Sequence, residues 1–443
     1  MRMNKRHLLG LVAALPLAWL TACGGGDDGN DAQMRLVNAS SGYASLDLLV
    51  DDTTTASAVL FGAGSGYANV KADQDIDNTL TETGSSTELL TQTRSLNPGD
   101  KYTLVAYGWE GALRTWLLTD DEDAADSGKT KVSVLNTSAD AGELDVYLTE
   151  TNADLDSSTA IVAGVDASSQ SGFISVTSGT YRLRVTGAGD TDDLRLDIPS
   201  VTLNSTEVLT LVVTPGTGGV LVHAMGVVQN GAVTPYLNTQ ARLRMVAAVA
   251  DATVPNFSRV TVNADDSAAS DVILGANVGS FTIKDYVLVN AGAVTLKTSV
   301  DGTALADKAI TVEAGADMTV LVVGKTPGDA VVNVLEDDNR LPTATTKYKI
   351  RMIHASPMLM DQNLSMTVDA SDVVSDQAFG TASDFDVRTA NDSVEIDITS
   401  PTQGSVASLT EQNLLALGVY TVFLFDRLNA GVAEPQARLS PSR

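Results

Sequence analysis

The chain has 443 residues, with 55 Asp and Glu against 28 Lys and Arg, a formal charge of −27. A surface this acidic repels phosphate backbones and anionic headgroups and lacks the clustered cations that nucleic-acid binding needs, so nucleic acid is excluded as a partner. Cys23 is the only cysteine, so no internal disulfide can form and each domain must stand on its own apolar core.

In chain order, residues 1–22 read as a signal peptide. Arg2, Lys5 and Arg6 give a basic start, and Leu8 to Leu20 an apolar stretch. That stretch falls short of the ~20 apolar residues of a membrane-spanning helix, and Pro16 interrupts it. The run Leu20-Thr21-Ala22-Cys23 resembles a bacterial lipoprotein box, which implies cleavage before Cys23 and acylation of its thiol. Residues 23–31 form the lipidated cysteine and a glycine-rich, flexible tether. In such lipoproteins an aspartate directly after the cysteine resembles an inner-membrane retention signal. Gly24 stands there, so the expected place is the bacterial outer membrane, lipid-anchored, with either face open.

From residue 32 the sequence repeats. Arg35-Leu36-Val37-Asn38 is echoed by Ser133-Val134-Leu135-Asn136, Arg244-Met245-Val246-Ala247 and Arg351-Met352-Ile353-His354, about 100 residues apart. Each copy continues with a second strand, at Leu46, Leu144, Val260 and Leu364. An apolar residue with glycine follows, at Phe61-Gly62, Ala163-Gly164, Leu274-Gly275 and Phe379-Gly380. An aromatic comes next (Tyr67, Phe173, Phe281, Phe385), and a strongly apolar strand closes each copy at Tyr102 to Tyr107, Val208 to Val213, Met318 to Val323 and Tyr420 to Phe425. Between these, apolar and polar residues alternate, as in Tyr181-Arg182-Leu183-Arg184-Val185, the mark of half-buried strands. Asn97-Pro98-Gly99-Asp100, Ser178-Gly179-Thr180, Asp301-Gly302 and Ala314-Gly315-Ala316 punctuate them as turns whose glycine can take a positive φ. The expected fold is all-β: tandem immunoglobulin-like β-sandwich domains after a lipoprotein signal peptide, at 32–128, 129–240, 241–345 and 346–443. Each is expected to be self-sufficient, like a bead on a string.

The fourth copy, with Ile353-His354-Ala355-Ser356-Pro357 and Phe379-Gly380-Thr381-Ala382-Ser383-Asp384-Phe385, resembles the bacterial family called domain of unknown function 4397. The resemblance implies exported tandem β domains and supplies no activity. Asn38, Asn136 and Ala247 replace the histidine in the other copies, so His354 is expected to hydrogen-bond backbone at a strand end and not to catalyse.

Candidate chemistry is sparse. His223 and His354 lie in different copies, which argues against a zinc site of several histidines, and His223 is expected to face solvent or a strand partner. Gly128-Lys129-Thr130 and Gly324-Lys325-Thr326 lack the earlier glycine of a phosphate loop and read as turns. No cofactor is called for except calcium, for which Asp73, Asp75 and Asp77 alternate as at the start of a calcium loop. Tyr107, Trp109 and Trp116 sit on an expected hairpin, Tyr102 to Leu118, where their rings could stack on sugar or cover a domain junction. The expected function is a non-enzymatic envelope lipoprotein with a structural or adhesive role. Its expected partners are the membrane, through the lipid, and an envelope protein or glycan. The alternative is a carbohydrate-binding or hydrolytic accessory that uses the Trp109/Trp116 hairpin.

Overall fold

The computed structural model describes residues 31–250, 258–268, 270–429 and 432–442. Cys23 and all of the tether except Asp31, which opens the first strand, lie outside them. The described residues form strands, three short 3-10 turns and no α-helix. The alternation read from the sequence dictates this. In Ser45–Val50 every second residue is buried, and in Gly292–Val300 Val294, Leu296, Thr298 and Val300 point inward while Thr295, Lys297 and Ser299 between them are partly exposed.

Four units share one topology, with strands within 31–119, 129–236, 240–336 and 347–441. Each pairs two sheets. In the front sheet the opening strand lies parallel to the late apolar strand: Asp31–Asn38 with Lys101–Trp109, Lys129–Asn136 with Val208–Pro215, Gln240–Val249 with Asp317–Gly324, and Lys347–His354 with Val419–Asn429. The back sheet is wholly antiparallel, in the first unit in the order Thr53–Leu60, Ser45–Val50, Asp75–Glu82 and Glu88–Ser95. Each unit has its own core between the two sheets, typified by Leu36, Leu48 and Leu104 in the first and by Ile350, Met366 and Val422 in the fourth.

Several turns follow the sequence. Gly99, Gly302 and Gly315 take positive φ, but Gly179 does not: the chain bends at Ser178 and Gly179 already belongs to the strand Gly179–Gly187. Asp51-Asp52 and Asp369-Ala370 make equivalent two-residue hairpin turns with both residues left-handed, which fits the twist of the flanking strands.

The units are not independent beads. Residues on the outward faces of the front sheets build two further cores between units. One joins Val37, Val105 and Tyr107 of the first unit to Leu135, Val212 and Met225 of the second. The other joins Val246, Leu321 and Val323 of the third to Ile353, Phe423 and Phe425 of the fourth. The front strands are therefore covered on both faces, as their largely apolar runs require. The first two units thus form one four-layered body through back, front, front and back sheets, and the last two form another.

Phe423 is fully buried and stacks on Phe425 at 5.5 Å. Phe423→Ala is expected to cost about 3–5 kcal/mol. In hydrogen-exchange mass spectrometry with added urea, amides of both the third and fourth units should lose protection together. Loss confined to the fourth unit would show that the shared core does not couple them.

Candidate functional site

The repeated polar residues hold strand ends. Asn38 Nδ2 donates to the carbonyls of Tyr43 (3.2 Å) and Val59 (3.1 Å), and its Oδ1 accepts the Ser40 N–H at 3.0 Å. Asn136 does the same with the Gly142 and Val165 carbonyls and the Ser138 N–H. His354 replaces both with its ring: Nε2 lies 3.2 Å from the Leu359 carbonyl and Nδ1 accepts the Ser356 N–H at 3.4 Å. One nitrogen must donate and the other accept, so the ring must be neutral. Burial depresses its pKa to about 4. His223 is also buried, not solvent-facing; its Nδ1 accepts the Asn238 N–H at 2.9 Å and burial likewise takes it to about 4.

The backbone carbonyls of these marker residues complete the joint. They accept N–H bonds from Gly62, Ser168, Phe281 and Gly380, all with positive φ. Ser168 and Phe281 are thus the true counterparts of Gly62 and Gly380, and the expected counterparts Gly164 and Gly275 are not. Gly164 is left-handed in a bulge instead, its N–H held by Asp145 Oδ1 at 2.7 Å. Phe281 having taken the glycine place, the downstream aromatic of the third unit is Tyr286.

A second recurrent cluster lies on the junction faces. Arg35, Arg244 and Arg351 each stand in register with a threonine, Thr103, Thr319 and Thr421, and donate to its hydroxyl. Each guanidinium lies over an aromatic ring: Arg35 over Tyr67 at 4.8 Å, Arg244 over Tyr286 at 4.7 Å and Arg351 over Phe385 at 4.7 Å. Two carboxylates finish the clusters. Tyr67 and Thr103 donate to Asp120 Oδ2, and Tyr286 and Thr319 donate to Asp337 Oδ2. Burial and the bond to Asp120 push the Tyr67 hydroxyl up to about 12. For Asp337, fully buried, desolvation acts upward, but Arg351 and Arg244 outweigh it and hold the carboxyl below its usual range. The arginines also cross the junctions: Arg35 donates to the Val228 carbonyl at 2.9 Å and Arg351 pairs with Asp337 of the third unit. No single position of this cluster was legible as functional, but an arginine three residues before the marker in three of four copies was the available signal.

The Tyr102 to Leu118 hairpin forms as Lys101–Trp109 and Ala112–Thr119. Tyr107 and Trp116 point into the first junction core. Trp109 lies farther along the same face, its Nε1 donating to Asp140 Oδ2 at 2.6 Å and its ring under the Arg340 guanidinium at 4.7 Å. Asp140 Oδ1 also accepts the Leu341 N–H at 2.6 Å, so this carboxylate ties the first, second and later parts of the chain together. A cleft of about 210 Å³ remains here, bordered by Tyr107, Trp109, Arg114, Asp140, Leu341 and Leu417. The three calcium candidates do not converge: Asp75 and Asp77 alternate on the exposed face of one strand, Asp77 accepts from Thr93 at 2.6 Å, and Asp73 is at a left-handed turn before it. Among the described residues no three His, Cys, Asp or Glu side chains are grouped to hold a metal. Gly128 turns into the strand Lys129–Asn136, and Gly324 ends the strand Asp317–Gly324 and is followed only by the single 3-10 turn Pro327–Asp329, so neither Gly-Lys-Thr triplet opens an α-helix.

The family model of a domain of unknown function, DUF4397, matches residues 32–147 and 241–361. No curated protein matches the chain. Among solved structures, the Bacillus anthracis TIE protein is similar over 67% of this chain and 50% of its own, with 9% identity and a TM-score of 0.17. The chain thus spans half the length of that protein. A Bacteroides fragilis protein described as a candidate cell adhesion protein is similar over 46% of this chain and 97% of its own, with 10% identity and a TM-score of 0.13.

The fourth unit has two opposed titrations. Protonating His354 breaks its bond from Ser356, so its share of stability is present above pH ~6.5 and is lost as pH falls toward ~4. Asp426, buried and accepting from Ser356 and Met358, has its pKa raised by burial to about 6, so its share is present below pH ~4 and is lost as pH rises through 6. His354→Asn should therefore leave stability that falls from pH 4 to 6, and Asp426→Asn stability that rises from pH 4 to 6.5. The size is roughly 2–3 kcal/mol in each, read from urea midpoints. Identical pH profiles for the two variants would refute these assignments.

Proposed function

The chain belongs to the DUF4397 family, and we propose that it is a non-enzymatic cell-envelope lipoprotein, held to the bacterial outer membrane through acylated Cys23 and acting as a structural or adhesive module. The observation that carries this reading is where the repeated polar residues go. Asn38, Asn136 and His354 bond strand-end backbone, and the arginine clusters bond neighbouring units, so the groups best suited to chemistry are occupied in holding four sandwiches together. Duplicated units fixed to one another multiply weak contacts on their outer faces, an advantage for adhesion and none for turnover. The acidic surface suits an exposed setting by keeping copies apart.

The glycan-binding alternative draws on the cleft beside Trp109. Its support is weaker, because Trp109 already spends its indole N–H on Asp140 and one ring face on Arg340, and Tyr107 is buried. Loss of a glycan-array signal on Trp109→Ala would favour it.

Labelled palmitate should enter the wild-type protein and not Cys23→Ser, which should move from the outer-membrane fraction to the soluble one. Restoring a deletion strain with wild type but not with Cys23→Ser should return cell attachment. A Cys23→Ser protein that stays membrane-bound, or that restores attachment fully, would sink the anchored-adhesion reading.

A further inference from the structure

The arginine cluster is complete in three units and broken in the second, where Ser133 stands in register with Thr210 and bonds it at 3.1 Å. In the last two units, Arg351 fills a defined place: over the Phe385 ring, against the Thr421 hydroxyl, on the Glu336 carbonyl at 2.8 Å and on Asp337 Oδ1. Every one of these partners has a counterpart in the first two units. Phe173 matches Phe385, Thr210 matches Thr421, Thr119 matches Glu336 and Asp120 matches Asp337. Where the guanidinium would lie there is instead a cavity of about 330 Å³, and those four residues line it together with Trp116 and Gln229.

The lining is left ready for a cation. Tyr67 and Thr103 use only Oδ2 of Asp120, and no described side chain donates to Oδ1, the oxygen that Arg351 takes on Asp337. Phe173 is 37% exposed, whereas Phe385 is covered by Lys349 and Arg351, and no cation lies over Phe173 among the described residues. The nearby Lys131 is engaged by Glu122, and Gln170 reaches only the Ser133 hydroxyl, at 3.2 Å. We propose that this cavity receives a guanidinium group from outside the unit, seated on Phe173 and paired with Asp120, as Arg351 is seated between the third and fourth units. A planar cation with several donors fits an aromatic face, a carbonyl and a carboxylate at once, which a lysine ammonium does not. The inference rests on the comparison between the two pairs of units and stands whether or not the chain is an adhesin.

The test is calorimetric titration of the full-length chain with a blocked Gly-Arg-Gly peptide, the same peptide carrying citrulline or lysine, and agmatine. The arginine peptide should bind at least about tenfold more tightly than the citrulline and lysine peptides. Agmatine equal to the arginine peptide would identify a free guanidino compound as the occupant, and a tenfold preference for the peptide would identify a polypeptide. Ser133→Arg supplies the missing guanidinium internally, so it should abolish binding and raise the melting temperature. Phe173→Ala, at a partly exposed position that leaves the cores intact, should weaken binding about tenfold. Equal binding of arginine and citrulline peptides, undiminished binding by a folded Ser133→Arg protein, or no binding to wild type would overturn the proposal.

Discussion

The two central strands of every front sheet are buried on both faces, and the rest of the architecture follows from that constraint. In Lys101–Trp109, Tyr102, Leu104 and Ala106 fill the unit's own core while Val105 and Tyr107 face outward. Such a strand cannot be left half in water, because burying apolar surface is worth about 25 cal/mol per Å². The outward face has to find a cover, and the nearest one is the equivalent face of the next unit. Pairing the first with the second and the third with the fourth satisfies all four sheets.

Polar groups inside these junctions are admitted only with partners. Arg351 and Arg244 share Asp337 across the second junction, and Arg35 spends its donors on Thr103 and on carbonyls of the neighbouring unit. A buried charge without partners would cost several kcal/mol, so these contacts also fix how the two sheets face each other. Glycine tightens the same fit: a Cβ on Gly64 would lie 2.6 Å from the Val233 side chain, and one on Gly380 2.5 Å from Asn333, whose Nδ2 donates to the Gly380 carbonyl.

Much of this was legible in the chain. The period-two alternation located the back-sheet strands, and the fourfold recurrence around Asn38, Asn136, Ala247 and His354 located the opening strand of each unit. The strand-end role of His354 followed from asparagine standing in for it. The strongly apolar strands Val208 to Val213 and Met318 to Val323 carry a meaning that alternation does not signal: every position is buried, Thr210 and Thr319 included, because a second sheet covers the outward face. The Phe-Gly marker misled in the second and third units because the matched position is set by backbone conformation, and Ser168 and Phe281 adopt the left-handed state that Gly62 adopts freely. The Trp109 environment depends on Asp140 and Arg340, far apart in sequence, and no local pattern could bring them together.

The central claim is that the cooperative unit is a pair of sandwiches and not a single one. Differential scanning calorimetry of the chain tests it most directly. Two transitions are predicted, each with the enthalpy of about 200 residues at ~0.7 kcal/mol per residue and with calorimetric and van't Hoff values that agree. Four transitions, each of single-sandwich size, would contradict it.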